Sequence, residues 1–250
     1  MGLSWLRERE VSEEGELMDI RKHINTVTGG ALKKYRVLEG ACYDHGVYYL
    51  IFGNMKHKTS RIVKVKANMT VLKVSKALKV GHANDCCVRG SIIYITHSGK
   101  KNVIHRVSAS TLDKLPDINV KGRKGGFNAI TCFGTGFLLK KMGSRKCYVV
   151  DGAFRYKSTI TLSKTYKVGQ GMTWANGRLY RGSSVGQSKK SKVAVYNGKG
   201  RLLKVYHYKH KGELEGVFVI GHSLLISVYR KYKKHGKKKF KAYIKKIAKV

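Results

Sequence analysis

A period of about 44 residues constrains this chain more than any other feature. Five segments recur at it: EGACYDHG from Glu39, GHANDCCVRG from Gly81, GGFNAITCFG from Gly125, GQGMTWANG from Gly169 and ELEGVFVIG from Glu213. Successive starts lie 42, 44, 44 and 44 residues apart. A later segment of each unit keeps step: RIVKVKANMTVLK, NVIHRVSASTLDK, KCYVVDGAFRYKS and SKVAVYNGKGRLLK. Each unit reads as four short runs rich in Val, Ile, Tyr and Thr, parted by turns that draw on 28 Gly and only one Pro. A single four-stranded unit of this length cannot bury its own apolar face. Units stacked around an axis can, and that is how a β-propeller is built. Five units predict an all-β fold, a five-bladed propeller.

The fifth unit ends with LLISVYRK and KFKAYIKKI, which leaves room for about three strands. An incomplete ring exposes a sheet edge, so a strand from residues 20–38, within HINTVTGGALKKYRVLE, is expected to close it. The expected organisation is an acidic N-terminal extension over residues 1–24 and one propeller domain over 25–250. Only residues 3–24 read as helical. Leu3, Trp5 and Leu6 would anchor an amphipathic helix there, or residues 1–19 would dock a protein partner.

The 42 % hydrophobic content suffices for one core, and no apolar run reaches the length of a membrane span. MGLSWLREREVSEEGELMDI lacks the apolar region of a classical signal peptide, and Leu6 breaks the myristoylation pattern. The five cysteines, Cys42, Cys86, Cys87, Cys132 and Cys147, show no CxxC spacing. They read as free thiols in a reducing compartment, which points to a cytoplasmic or virion-associated protein.

Charge narrows the partner. Against 52 Lys and Arg stand 14 Asp and Glu, a net of +38. Residues 1–19 hold six of the acids, so residues 20–250 carry +42. Such a field draws polyanions: nucleic acid, anionic surfaces or a phosphate-rich polymer such as teichoic acid. The plainer reading is a lysine bias that serves solubility alone. The densest run, KYKKHGKKKFKAYIKK from Lys231 to Lys246, reads as a loop between the final strands. Lys231, Lys233, Lys234, Lys237, Lys238 and Lys239 would hold phosphates there, with Tyr232 and Phe240 as stacking platforms. No RRM, KH or zinc-finger signature is present, so such binding would not depend on sequence.

The blade starts carry a resemblance. EGACYDHGVYYLIF, the GHAND stretch, GQGMTWANGRLYRG and ELEGVFVIG resemble a group of five-bladed propeller proteins of Gram-positive bacteria and their phages, which read like QGxxxDGxYYY, GHANDMTY, QGxxxxxxxLY and E-x-E-G-I. The E-x-E step is distantly similar to the end of the bacteriocin helveticin J. Here CCV stands in place of MTY. The resemblance covers about residues 39–230 and implies the propeller fold. A cell-wall or lytic role is implied only through the helveticin-like relatives.

In a propeller the blade starts meet at the mouth of the central channel. His82, Asn84, Asp85, Asn128, Gln170, Trp174, Glu213 and Glu215 are expected there, with Asp44. Asp85, Glu215 and Asp44 are the candidate catalytic carboxylates, since a raised-pKa acid and an ionised partner are what glycoside cleavage needs. The structural alternative is that these carboxylates accept backbone N–H groups and hold the blades in register. Asp85, Asn84 and Glu215 would also suit a divalent cation, and His82 a transition metal, although no EF-hand or HExxH spacing appears. Cys86 and Cys87 lie near His82 but read as buried packing residues rather than nucleophiles. KGRKGG and VGQGM lack the GK[ST] of a P-loop.

The resulting reading is a non-catalytic binding propeller for a phosphate-rich polyanion, nucleic acid foremost. The alternatives are a cell-wall or carbohydrate-acting protein that uses the central carboxylates, and a structural component of a phage or ribonucleoprotein assembly.

Overall fold

Each repeat folds into one antiparallel blade in a computed structural model that describes residues 9–11, 18–54, 56–97, 99, 102–166, 168–184, 186–187, 190–209 and 211–250. Ahead of the blades come β1 (Arg9–Val11) and α1 (Ile20–Val27). Blade 1 is β2 (Val37–Asp44), β3 (Val47–Asn54), β4 (Thr59–Lys66) and β5 (Val71–Val74). Blade 2 is β6 (Ala83–Arg89), β7 (Ile92–His97), β8 (Val103–Ser108) and β9 (Lys114–Asn119). Blade 3 is β10 (Ala129–Phe133), β11 (Gly136–Lys140), β12 (Lys146–Val150) and β13 (Tyr156–Thr161). Blade 4 is β14 (Gly169–Ala175), β15 (Arg178–Ser184), β16 (Lys190–Asn197) and β17 (Leu202–Lys209). Blade 5 is β18 (Glu213–Ile220), β19 (Ser223–Lys234) and β20 (Lys237–Lys249). The chain is a five-bladed β-propeller.

The core is divided among the seams between blades. Ile51, Ile62 and Ile95 fill the seam of blades 1 and 2; Tyr94, Phe137 and Phe154 that of blades 2 and 3; Leu138, Met172 and Tyr196 that of blades 3 and 4; Tyr180, Val217 and Ile226 that of blades 4 and 5. Alternate residues of each strand therefore serve two different seams, which is why the blades read as near-continuous apolar runs.

The closing element differs from expectation. Residues 20–38 give no strand to blade 5, whose sheet has three strands among the described residues. They form α1 instead, which packs against β20. Ile20 and Ile24 stand one helical turn apart, and Asp19 caps the first turn by accepting the Lys22 N–H at 3.1 Å. Gly29 and Gly30, at φ +61° and +96°, end the helix. Ile24 and Leu32 then pack fully buried against Leu38, Ala41, Tyr229 and Ala242, so helix and loop cover the seam of blades 5 and 1. The helix runs across the expected boundary at residue 24. β1 pairs in parallel with β17, the outer strand of blade 4. Leu3, Trp5 and Leu6 lie outside the described residues.

The lysine run Lys231–Lys246 is also not a loop. It belongs to a long hairpin paired from Ser223↔Lys249 to Lys234↔Lys237 with one bulge at Leu224, and its residues up to Lys241 form the outer half. His235 and Gly236, at φ +48° and +69°, make the two-residue turn whose twist matches the strands.

Truncating Ile24 tests whether the helix holds the ring shut. Ile24→Ala should lower unfolding stability by about 2–5 kcal/mol in urea titration, the usual range for a fully buried large-to-small change. A midpoint unchanged from the parent would show that the seam of blades 5 and 1 stands without α1.

Candidate functional site

The first strand of each blade begins at the propeller axis, and four of the five are irregular there. The ladder to the second strand shifts at Glu39 in blade 1, at Asn84 in blade 2, across Gln170 and Gly171 in blade 4, and at Glu215 in blade 5. A bulge re-aims its side chain, and here these side chains turn toward the next blade. Glu39 Oε2 accepts the Ala83 N–H at 3.1 Å. Asn84 Nδ2 donates to the Asn128 carbonyl at 3.1 Å and to Gln170 Oε1 at 3.4 Å. Asn128 Nδ2 donates to the Gly169 carbonyl at 3.0 Å, and Gln170 Nε2 to Glu213 Oε1 at 2.9 Å. Amide and carboxyl side chains thus stitch blades 1 to 5 in order.

Asp85 follows the bulge of blade 2, where the other blades carry Gly40, Ala129, Gly171 and Gly216. Small residues are needed there because the strands converge. A Cβ on Gly171, which also sits at φ +66°, would come within 2.9 Å of the Gly216 Cα. Asp85, only 1 % exposed, is the one side chain larger than a methyl admitted there. Its Oδ1 accepts the Cys86 N–H at 3.0 Å; its Oδ2 accepts Ile130 N–H at 3.0 Å and Met172 N–H at 3.1 Å. Burial pushes its pKa well above the usual carboxylate range, and the three N–H donors oppose that push. The expected cation ligand and catalytic acid therefore turns both oxygens to the backbone of blades 2, 3 and 4.

The predicted mouth residues divide into two ends. Asn84, Asn128, Gln170, Glu213 and Glu215 meet at the bulged end, joined by Glu39, which the sequence reading passed over in favour of Asp44. His82 is exposed on the turn before β6. Asp44 and Trp174 lie at the far ends of β2 and β14. There they line a cavity of about 170 Å³ with Cys42, Cys86, Cys87 and Cys132. At about 3.3 Å per residue, the five residues from Glu39 to Asp44 span roughly 17 Å, so Asp44 does not join Asp85 and Glu215 in one site.

At the bulged end, burial raises the Glu39 pKa to about 8. Burial first, then Glu213 and Glu39, holds Glu215 well above its ordinary value. Burial first, then Glu215 and Glu213, push Tyr229 up to about 12, against the opposing charge of Arg21.

The second candidate surface is the lysine hairpin. Lys233 stands across from Lys238 and Lys234 from Lys237, with Tyr232 across from Lys239 and Lys231 from Phe240. Among the described residues none of these lysines has an ion-pair partner; the carboxylates that form ion pairs are Asp44, Asp117 and Asp151. Between the hairpin and α1 runs a groove of about 670 Å³, lined by Arg21, Lys22, Lys33, Arg36, Lys238 and Lys239 against the single acid Asp19. A second hollow of about 640 Å³ adjoins it at Tyr232, with Lys22, Lys234 and Lys241 on its walls. A third, of about 600 Å³, lies beyond Phe240 with Lys34, Arg36, Lys56 and Lys231. The aromatic platforms are less open than expected. Phe240 stacks on Tyr229 at 6.2 Å with Arg36 at 5.6 Å, and Tyr232 lies near Arg230 at 5.2 Å and Lys241 at 5.9 Å.

No protein-family model matches the chain, and no curated protein does. Among solved structures it is similar to the glutaminyl cyclase of Myxococcus xanthus, with a TM-score of 0.59 at 10 % identity over 86 % of this chain and 93 % of that one. It also matches virginiamycin B lyase of Staphylococcus aureus, with a TM-score of 0.44 at 11 % identity over 82 % of this chain and 65 % of that one. At such identity the first likeness is one of fold, the β-propeller. No helix among the described residues is long and apolar enough to cross a membrane.

Two outcomes follow from the axis. Asp85→Asn replaces an acceptor with an amide donor that faces backbone N–H groups. It should lower stability by about 1–3 kcal/mol for each N–H left unpaired. An Asp85→Asn urea midpoint equal to the parent's would remove Asp85 from its role. The second outcome concerns pH. An unfolded Glu39 loses its proton near 4.5, whereas the folded one keeps it to about 8. Between these values the fold binds the extra proton, so this contribution to stability declines as pH rises from about 4.5 to about 8. Glu39→Gln mimics the protonated form and should flatten that decline. Urea midpoints at several pH values in this window, falling equally in both proteins, would assign the slope elsewhere.

Proposed function

We propose that this propeller is a non-catalytic binding module that holds a phosphate-rich polyanion, nucleic acid foremost, along the β19–β20 hairpin and the groove beside α1. The observation that carries the reading is the pairing of lysine with lysine across the hairpin's outer half. Like charges directly opposite destabilise a strand pair. A phosphate between them removes that repulsion and releases its condensed counterions. The three adjoining hollows, walled by Lys and Arg, give a polymer a continuous track rather than a single pocket.

The channel carboxylates support this reading by elimination of competing demand. Asp85 and Glu39 accept backbone N–H groups and Glu213 accepts an amide, so their hydrogen bonds join blades. Because cations or a second ring already lie against Tyr232 and Phe240, phosphate contacts rather than base stacking supply most of the affinity. Binding is then indifferent to base sequence.

The test replaces Lys233, Lys234, Lys237 and Lys238 by Gln and titrates RNA, single-stranded DNA, duplex DNA, heparin and teichoic acid across a range of salt. With the parent, log affinity should fall steeply against log salt. With the variant, the slope should flatten by about 0.7 per lost contact on single strands and about 0.9 on duplex. Tyr232→Ala should weaken single strand and duplex alike. A parental salt slope in the quadruple variant sinks the hairpin assignment. Equal affinity for all five polymers sinks nucleic acid as the partner.

A further inference from the structure

Four cysteines of the channel lie on the inner strands of blades 1, 2 and 3. Cys86 and Cys87 are consecutive on β6, so their side chains point to opposite faces of blade 2. Cys86 faces the seam with blade 1, where its thiol donates to Cys42 Sγ at 3.0 Å. Cys87 faces the seam with blade 3, where Cys132 of β10 packs against the same cluster and lines the same cavity. All four are free thiols. All four line the cavity of about 170 Å³ at the end of the channel where Asp44 and Trp174 stand half-exposed. Cys147, the fifth, is buried in the seam of blades 3 and 4 and lies outside this cavity.

We propose that Cys42–Cys86 and Cys87–Cys132 are two oxidisable dithiols, which a hydroperoxide entering the channel converts into disulfides that lock blade 2 to blades 1 and 3. The geometry asks little of the fold. A disulfide bond is about 2.05 Å long, so the Cys42–Cys86 sulfurs need to close by about 1 Å. The inner strands that carry them are already in contact.

Cys132 is the sulfur that reacts first. It is half-buried at the cavity wall, and in the reduced protein its thiol donates to the Val88 carbonyl at 3.1 Å. The Cys87 thiol and the Arg89 guanidinium favour its thiolate, whereas burial holds Cys42, Cys86 and Cys87 in the thiol form. In the first step the Cys132 thiolate attacks one peroxide oxygen. An S–O bond forms, the O–O bond breaks, and the other oxygen takes a proton and leaves as an alcohol or as water. In the second step the Cys87 sulfur attacks the resulting sulfenic acid. The S–S bond forms, the S–O bond breaks and water leaves. Two electrons pass from the thiol pair to the hydroperoxide. A second equivalent oxidises Cys42 and Cys86 with the same balance.

The experiment uses the full chain, reduced and then treated with hydrogen peroxide. Free thiols are counted by alkylation, and disulfides are mapped by mass spectrometry of the digest. The expected result is the loss of four thiols, a mass loss of two hydrogens per bridge, both predicted bridges in the map, and Cys147 still alkylated. The oxidised protein should keep the oligomeric state of its reduced form and melt at a higher temperature. Cys132→Ser should keep the Cys42–Cys86 bridge and lose only the other; should that variant not fold, the map of the parent decides alone. A map lacking either bridge overturns the proposal, whether the thiols stay reduced, pass to sulfinic acid or pair between molecules.

Discussion

Asp85 sits where five strands converge, and the arrangement of the axis follows from that one carboxylate. At the start of an innermost strand the backbone N–H groups have no further strand on the axial side to pair with. Leaving them buried and unpaired costs about 1–3 kcal/mol each. A carboxylate is compact and offers several acceptor positions, so one side chain can take N–H groups from Cys86, Ile130 and Met172 together. A second acid at an equivalent position would meet the first across the axis. Gly40, Ala129, Gly171 and Gly216 leave that space to Asp85 and let the backbones close around it.

The seam between blades 5 and 1 lies beyond the reach of this hub and is built differently. Its acids are Glu39, Glu213 and Glu215, close enough that Glu39 and Glu215 are pushed toward their neutral forms. Where Asp85 takes three backbone N–H groups, Glu39 takes one, from Ala83. Apolar packing makes up the difference. α1 and Leu32 bring aliphatic side chains to Phe218, Tyr229 and Ala242, and Asp19 Oδ1 accepts the Ala242 N–H at 3.4 Å. The seam where chain start meets chain end is thus held by a hydrophobic patch rather than by a hydrogen-bonded strand.

Much of this was legible in the repeat. The period fixed the number of blades, and GHAND marked the axis because an acid at a blade start in so basic a chain demands a local reason. Glu39 was hidden because EGACYDHG contains two acids, and only the bulge after Leu38 shows which of them faces the axis. The cysteine pairs were present as spacings: Cys42 to Cys86 is 44 residues and Cys87 to Cys132 is 45, one repeat each. Consecutive residues of a strand face opposite seams, so a cysteine meets the position one step off its own equivalent in the next blade, which the cysteine count alone does not reveal. The closing helix was misread because HINTV alternates in β-branched residues, while the Ile20–Ile24 spacing and the Asp19 cap favour a helical turn. The lysine hairpin looked like a loop because its outer half lacks apolar alternation. Its strand character comes from the inner half.

That last point explains how the hairpin tolerates its own charge. From Ser223 to Tyr229, β19 lies in the blade, paired with Ala242 to Lys249 of β20, and Leu224, Ile226, Val228, Ala242 and Ile247 are buried. Burial of one face fixes the register, since a slip of one residue would turn these side chains out of the core. The outer residues inherit that register whatever their mutual repulsion, and the His235–Gly236 turn closes it at the tip. Lys233 and Lys234 therefore stay opposite Lys238 and Lys237, at fixed spacing and without an ion-pair partner among the described residues. A freely moving lysine loop would relax the repulsion by spreading apart. A hairpin anchored in the core cannot, so its field stays concentrated until an anion neutralises it.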